Sequence, residues 1–237
     1  RSRRQRQMCI RDRRALEAAY RNLNEDHYVL YVDETYNRPE ENLGRSFYLI
    51  CGVLISARFL DATREDIREI VDGGYWHTTE ALQSAEGRQK AEGLLTYCND
   101  VGDKHIFAYK KDLTQIGEEN EVSVAQARDD CLKALLVAVQ QNYPGTRLVV
   151  MEKRQRHTEN DADRRLIKHL RSVGAISRYT QVLHESPKEE HLLWLPDLSA
   201  MALRRSKTHH DRTGLYFKLY LEDHSFVIDL DKKVENE

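Results

Sequence analysis

The chain has 237 residues, of which 40% are hydrophobic and 32% are charged, and its formal net charge is −2. This length suits one domain with one hydrophobic core, and the composition is typical of a soluble globular protein, which excludes disordered and membrane-embedded classes. The longest apolar run, Phe47 to Ile55, is too short to span a bilayer and is rich in residues that favour strands.

The first residues do not read as part of a fold. Arg3 to Asp12, RRQRQMCIRD, matches the translation of a transposase adapter used to prepare sequencing libraries. We therefore interpret residues 1–13 as an artefact and exclude them from the fold reasoning; a genuine basic arm that binds nucleic acid is the alternative. The segment holds six arginines and one aspartate, so without it the net charge of −2 becomes −7, which argues against a broad phosphate-binding surface.

The chain has four cysteines, of which Cys9 lies in the excluded segment. The other three, Cys51, Cys98 and Cys131, are far apart in the sequence and form no C-x-x-C pair. This spacing predicts reduced, buried thiols and no zinc or disulfide framework. No apolar segment of the kind found in secretion signals follows the first arginines. We therefore expect a cytoplasmic protein.

Taken in chain order, the residue patterns predict alternating strands and helices. A lead-in at residues 14–26 precedes two strands, at 27–33 and 47–56, which are joined by a polar loop rich in turn residues. The spacing of apolar residues and the turn signals then predict eight further elements. These are helices at 57–74 and 79–98, a strand at 105–110, a helix at 122–141, a strand at 146–152, a helix at 161–174, a strand at 177–185 and a helix at 192–205.

This order of elements predicts an α/β fold. If the two helices between about residues 57 and 104 are an insertion, three strands are followed by alternating helices and strands. That is the order of the ribonuclease H-like fold, a mixed five-stranded sheet with helices on both faces. We therefore predict one ribonuclease H-like domain at 27–206, with a helical insertion between the second and third strands. The tail at 207–237 is expected to add a hairpin at the sheet edge.

Three carboxylates fall where such a fold would place a site, because open α/β sheets bind ligands beyond the carboxyl ends of their strands. Asp33 ends the first strand in HYVLYVDETYN, Glu152 ends the strand TRLVVME, and Asp197 lies near the start of the last helix. Like charges brought together repel, and a divalent cation relieves the repulsion. Ligands that are all oxygen suit Mg²⁺ or Mn²⁺. Two such ions, about 4 Å apart, can activate water and stabilise the leaving oxygen of a phosphodiester.

Each of these acids also has an explanation without a catalytic role. Asp33 can be a solvated strand end, Glu152 can pair with basic neighbours, and Asp197 can be a first-turn acid favoured by the helix dipole. Glu34 follows Asp33 and points to the opposite face of the strand. Only one of these two adjacent acids is therefore expected to be a direct ligand.

Other polar residues flank the predicted carboxylate site. His77 and Glu80 are three residues apart after a Gly-Gly turn and can face one pocket, although a capped helix with an exposed histidine explains them at least as well. Basic residues follow Glu152 and Asp197, where a phosphodiester substrate would need them. They are Lys153 and Arg154 in the first group and Arg204 and Arg205 in the second.

Several segments, taken together, resemble the family catalogued as domain of unknown function (DUF) 3800, a ribonuclease H-like group. They extend from about residue 27 to 206 and read YVDETY, FYLICGVLI, YWHTTEAL, LVVMEKR and LLWLPDLSAMALRR. The chain departs from the family pattern at Thr35 and Tyr36, where the family has a small Ser-Gly pair. This departure bears on how closely a substrate backbone can approach the turn.

The resemblance implies a nuclease-like site in which Asp33, Glu152 and Asp197 are catalytic metal ligands. Its accessory candidates are Glu34, His77 and Glu80. The function we predict is a Mg²⁺- or Mn²⁺-dependent phosphodiesterase that hydrolyses nucleic acid with two ions, with nucleic acid as its partner and no membrane association. The alternative is a non-catalytic module that binds nucleic acid or protein in a defence or toxin system.

Overall fold

The computed structural model describes residues 14–37, 46–111, 113, 123–154 and 157–232. Residues 1–13, most of the loop predicted between the first two strands, and the last five residues lie outside this part. The described strands are β1 Tyr28–Asn37, β2 Phe47–Ser56, β3 Lys104–Lys111, β4 Thr146–Glu152, β5 Gln181–Glu185 and β6 Ser225–Asp229. The described helices are α1 at 14–21, α2 Leu60–Ile70, α3 Thr78–Ala81, α4 Ala85–Val101, α5 Val124–Asn142, α6 His157–Ser172 and α7 Trp194–Thr208.

All six described strands form one mixed sheet in the order β5-β4-β1-β2-β3-β6. β1, β2 and β3 are antiparallel neighbours, while β4 lies parallel to β1 and β5 lies parallel to β4. The central strands are apolar and β-branched or aromatic, as expected for strands covered on both faces. The α/β class and the mixed sheet are thus confirmed.

The sheet has six strands rather than the predicted five, because β6 pairs with β3 in parallel. The Asp211 carboxylate accepts hydrogen bonds from the backbone N–H groups of Thr213 and Gly214 and starts a series of helical turns over residues 212–224. A helical connection brings the chain back parallel to an earlier strand, whereas a tight turn would give an antiparallel hairpin. The tail therefore contributes one edge strand instead of the expected hairpin.

Helices pack on both faces of the sheet, as predicted. Val29 and Tyr31 belong to the core on one side, with α2, α4 and α7, which we call the α7 face. Leu30 and Val32 belong to the core on the other side, with α5 and α6, which we call the α5 face. Because side chains alternate along a strand, the next residue of β1, Asp33, is on the α7 face.

Residues 78–101 form two helices where the sequence predicted one. The Ser84 side chain accepts a hydrogen bond from the Gly87 N–H at 2.9 Å and begins α4. A Cβ atom on Gly87 would lie 2.0 Å from the carbonyl oxygen of Ala81, so the end of α3 packs directly against the first turn of α4. These helices and α2 lie between β2 and β3, and their interpretation as an insertion stays a prediction.

The cysteines of the described ranges are buried free thiols, as predicted: Cys51, Cys98 and Cys131. Burial raises the pKa of the Cys98 thiol above its ordinary value. Among the helices that the structure describes, none has both the length and the apolar character required to cross a membrane.

Candidate active site

Asp33 and Glu152 lie side by side on neighbouring parallel strands. The register pairs Val32 of β1 with Met151 of β4, so the next residue of each strand projects toward the α7 face at the carboxyl end of the pair. Asp33 is partly buried and Glu152 is exposed. Their side chains are joined by a hydrogen bond that raises the pKa of Asp33 and lowers that of Glu152.

Asp197, in the first turn of α7, completes the group of acids. Its Oδ2 accepts a hydrogen bond from the backbone N–H of Thr78 at 3.1 Å, and the Thr78 side chain bonds to it as well. The buried Thr78 hydroxyl also accepts from the Trp76 indole N–H at 2.9 Å. A hydroxyl that accepts from one neighbour has its proton free for another, so Thr78 presents two donors that orient the carboxylate of Asp197.

The three carboxylates influence one another electrostatically. Burial is the main cause of the strongly raised pKa of Asp33, and the charges of Asp197 and Glu152 raise it further. Burial also raises the pKa of Glu152 and of Asp197, while the bonds from Thr78 oppose the shift at Asp197. Such a cluster is unfavourable unless a proton or a cation compensates it.

Within the described residues, no group of three or more His, Cys, Asp or Glu side chains is already arranged to hold a metal ion. Asp33 and Glu152 are instead hydrogen-bonded to each other. The donor set itself fits a hard divalent cation, because it consists of three carboxylates, whose oxygen atoms suit such an ion.

The segment before α3 brings two further side chains to the acids. His77 is exposed at the start of α3, and its electrostatic interaction with Glu152 and Asp197 opposes the rise that burial causes in the pKa of both acids. Tyr75 is 50% exposed, and after burial the charges of Glu152 and Asp197 are the main causes of its raised pKa. Glu80 is exposed, and its charge also raises the pKa of Tyr75. The sequence reasoning selected His77 and Glu80 but missed Tyr75, for which the aromatic pair YW before a polar segment was the only signal.

Glu34 belongs to a different network on the α5 face. Its Oε2 accepts from the Arg128 Nε at 2.7 Å, and its Oε1 lies 3.6 Å from the Arg154 guanidinium. Arg128 is 4% exposed and also donates to both oxygens of Asp163, which is fully buried. Asp163 in turn bonds to His184 Nε2 at 3.0 Å. Arg128 and Asp163 escaped sequence reasoning because charged residues on amphipathic helices usually face solvent.

A cleft of about 530 Å³ opens at the carboxyl ends of β1 and β4. It exposes members of both networks, including Asp33, Glu34 and Glu152. Its basic wall is formed by Lys153 and Arg154. Residues of the carboxylate cluster on the α7 face and residues of the charged network on the α5 face thus line the same cleft.

The four basic residues chosen from the sequence lie in different surroundings. Arg154 is between Glu34 and Glu159, at 3.6 and 3.4 Å. Arg204 donates to the Thr35 hydroxyl at 3.4 Å. The remaining two make local contacts: Lys153 donates its backbone N–H to Glu185, and Arg205 donates to the Thr213 hydroxyl at 2.6 Å and lies 3.9 Å from Asp211.

Comparison with known proteins adds no further assignment for this chain. No family model matches the chain, and no curated protein matches it, so the resemblance to DUF3800 depends on the motifs themselves. Similar solved structures include a mutant of Bst-RNase HIII, with 9% identity and a TM-score of 0.46, and Bst-RNase HIII in complex with Mn²⁺, with 8% identity and a TM-score of 0.43. Each match covers 80% of this chain and 57% of the ribonuclease chain.

Proposed function

We propose that this protein is a Mg²⁺- or Mn²⁺-dependent phosphodiesterase that hydrolyses nucleic acid. The observation that carries the proposal is the meeting of Asp33, Glu152 and Asp197, from β1, β4 and α7, at the carboxyl ends of two parallel strands. Their mutual repulsion and their all-oxygen donor set favour divalent cations. Two bound ions would supply a nucleophile at neutral pH and stabilise the charge that develops on the phosphate.

The side chains have separate tasks in this proposal. Asp33 and Glu152 would hold the cations. Asp197 is held in one orientation by Thr78 and still has lone pairs for a cation. His77 is the exposed side chain next to Glu152 and Asp197, where it can contact a phosphate or protonate a leaving oxygen.

The first test is cleavage of single- and double-stranded DNA, RNA and RNA–DNA hybrids in the presence of Mn²⁺. Asp33→Asn and Asp197→Asn should each reduce cleavage by at least about 100-fold, because each removes a charge that stabilises the transition state through the ions. Asp161→Asn is a matched control, since Asp161 is exposed on α6 and pairs only locally with Arg164 at 2.8 Å. Cleavage that persists in both site variants would contradict the proposal.

A stability measurement shows whether these variants still fold. In EDTA, Asp33→Asn should raise the free energy of unfolding by about 0.5–2 kcal/mol, because a neutral asparagine avoids burying a charge beside those of Asp197 and Glu152. Mn²⁺ should stabilise the wild-type protein more than the variant. Calorimetry with Mn²⁺ tests the same point directly: nucleic-acid binding without Mn²⁺ binding would instead support a non-catalytic module.

A further inference from the structure

Many of the cations near the carboxylates are already neutralised by acids. Arg128 is buried between Glu34 and Asp163, and Arg154 lies between Glu34 and Glu159. Their charges are compensated inside the protein, which leaves less attraction for a phosphate.

Two cations on α7 are placed differently. Among the residues that the structure describes, neither Arg204 nor Lys207 forms an ion pair with a carboxylate. Arg204 donates to the hydroxyl of Thr35, and the Lys207 ammonium lies 4.5 Å from the centre of the Tyr109 ring. Lys207 is exposed to solvent. Their positive charges are therefore available to an anion.

A third cation, Lys111, lies over the same aromatic ring. Its ammonium is 5.6 Å from the centre of the Tyr109 ring and 3.3 Å from Asp229. Partial desolvation and the charge of Lys111 lower the pKa of Lys207, and the charge of Asp229 opposes the shift. Two ammonium groups thus lie near one ring, and Lys111 is the one that is paired with a carboxylate, Asp229, and whose backbone N–H donates to Asp231 Oδ2 at 2.6 Å.

The strand register relates these cations to the carboxylates. Thr35, Leu49 and Tyr109 form one cross-strand row on the α7 face, and the row before it begins with Asp33. Arg204 therefore lies over β1, while Lys207 and Lys111 lie over β3, two strand spacings or about 10 Å away. Because each nucleotide of a strand advances a nucleic-acid helix by about 3.4 Å along its axis, cations this far apart would contact different phosphates of the backbone.

We propose that Arg204 and Lys207 form a phosphate-binding row that holds the sugar-phosphate backbone of a nucleic acid on the β3 side of the carboxylates. That the bound polymer is a nucleic acid rests on the proposed function, but binding to the row can be tested without measuring cleavage. Lysine binds phosphate as a point charge and reads no base, so the row should hold the polymer without sequence preference.

The test measures binding of a fluorescein-labelled, mixed-sequence oligonucleotide in EDTA, where cleavage does not interfere. Single-stranded DNA, single-stranded RNA and an RNA–DNA duplex are compared over a range of salt concentrations. Lys207→Gln should weaken binding about 5-fold near physiological salt and reduce the slope of log K against log salt by about 0.7–0.9, the share of one phosphate contact. Lys207→Glu should weaken it more, and Lys207→Arg should restore it.

Lys168→Gln is the matched control. Lys168 is an exposed lysine on α6, which packs on the α5 face, the opposite side of the sheet from Lys207. Its substitution changes the net charge by the same amount as Lys207→Gln. It should leave affinity and salt slope unchanged. Inorganic phosphate that competes as well as polymer phosphate would show a site for free phosphate and overturn the row. Equal binding by Lys207→Glu and wild-type protein, or no binding of any polymer, would overturn it too. If the wild-type protein cleaves no polymer but Lys207→Glu still loses binding, the proposed phosphodiesterase activity would be overturned and the phosphate-binding row would stand.

Discussion

Two adjacent acids in β1, Asp33 and Glu34, are separated by the geometry of the strand. Asp33 meets Asp197 and Glu152 on the α7 face, whereas Glu34 meets Arg128 and Arg154 on the α5 face. The two-residue period of a strand predicted this separation. It did not identify the partners, which come from distant parts of the chain. Thr35, where the chain departs from its apparent relatives, contacts Arg204.

His105 is a residue whose environment predicts sensitivity to acid. The Ser199 hydroxyl donates to the Leu195 carbonyl at 2.7 Å, so it accepts from His105 Nδ1 at 3.0 Å. The other ring nitrogen, Nε2, is buried without a hydrogen-bond partner in the described part of the chain. Burial lowers the pKa of His105 from 6.5 to about 3. The folded protein therefore needs a neutral imidazole.

When folding lowers the pKa of a histidine, the unfolded chain binds a proton more readily than the folded protein does. The protein therefore loses stability as the pH falls below the pKa of that histidine in the unfolded chain. Between pH 6.5 and about 3, the wild-type protein should lose about 1.4 kcal/mol of unfolding free energy per pH unit relative to His105→Leu. Urea unfolding of both proteins at several pH values gives the two slopes. Parallel slopes would show that His105 is not protonated on unfolding.

At the scale of elements, the junction between α3 and α4 depends on one glycine. Gly87→Ala would place a methyl group 2.0 Å from a backbone oxygen of Ala81, so the junction must shift. The expected cost is about 1–3 kcal/mol of unfolding free energy. Because α3 carries Thr78, which holds Asp197, the same change should weaken Mn²⁺ binding in calorimetry.

Gly93→Ala in the same helix is the control for this prediction. Its added Cβ would meet only the Ile70 side chain, at 3.1 Å, and that side chain is partly exposed and can move. The gain in helix propensity, up to about 1 kcal/mol, offsets the contact, so stability should stay close to wild type. Equal losses for the two substitutions would contradict a specific role for Gly87.

At the scale of the whole molecule, Arg128 joins the centre of the sheet to the helices of the α5 face. It connects β1 through Glu34 with α6 through Asp163, and Asp163 continues to β5 through His184. Arg128→Met should cost about 3–5 kcal/mol of unfolding free energy, because it leaves the fully buried Asp163 without its cation.

The double variant Arg128→Met/Asp163→Leu separates the loss of packing from the loss of charge pairing. It should recover part of the stability lost in Arg128→Met, since no unpaired buried aspartate remains. Urea unfolding of both single variants and the double variant completes the cycle. Strictly additive losses would show that the two charges are not coupled.

The sequence by itself determined the α/β class, most strands and helices, and the positions of three acids at element ends. These follow from residue periodicity, turn residues and the order of elements, all of which are local. Only the tertiary structure decided that β6 pairs parallel to β3, that Tyr75 lies beside the acids, and that Lys111 meets Lys207 over one ring. Each of these contacts joins residues far apart in the chain, and hydrogen bonds and charges act through space, so no local pattern specifies them.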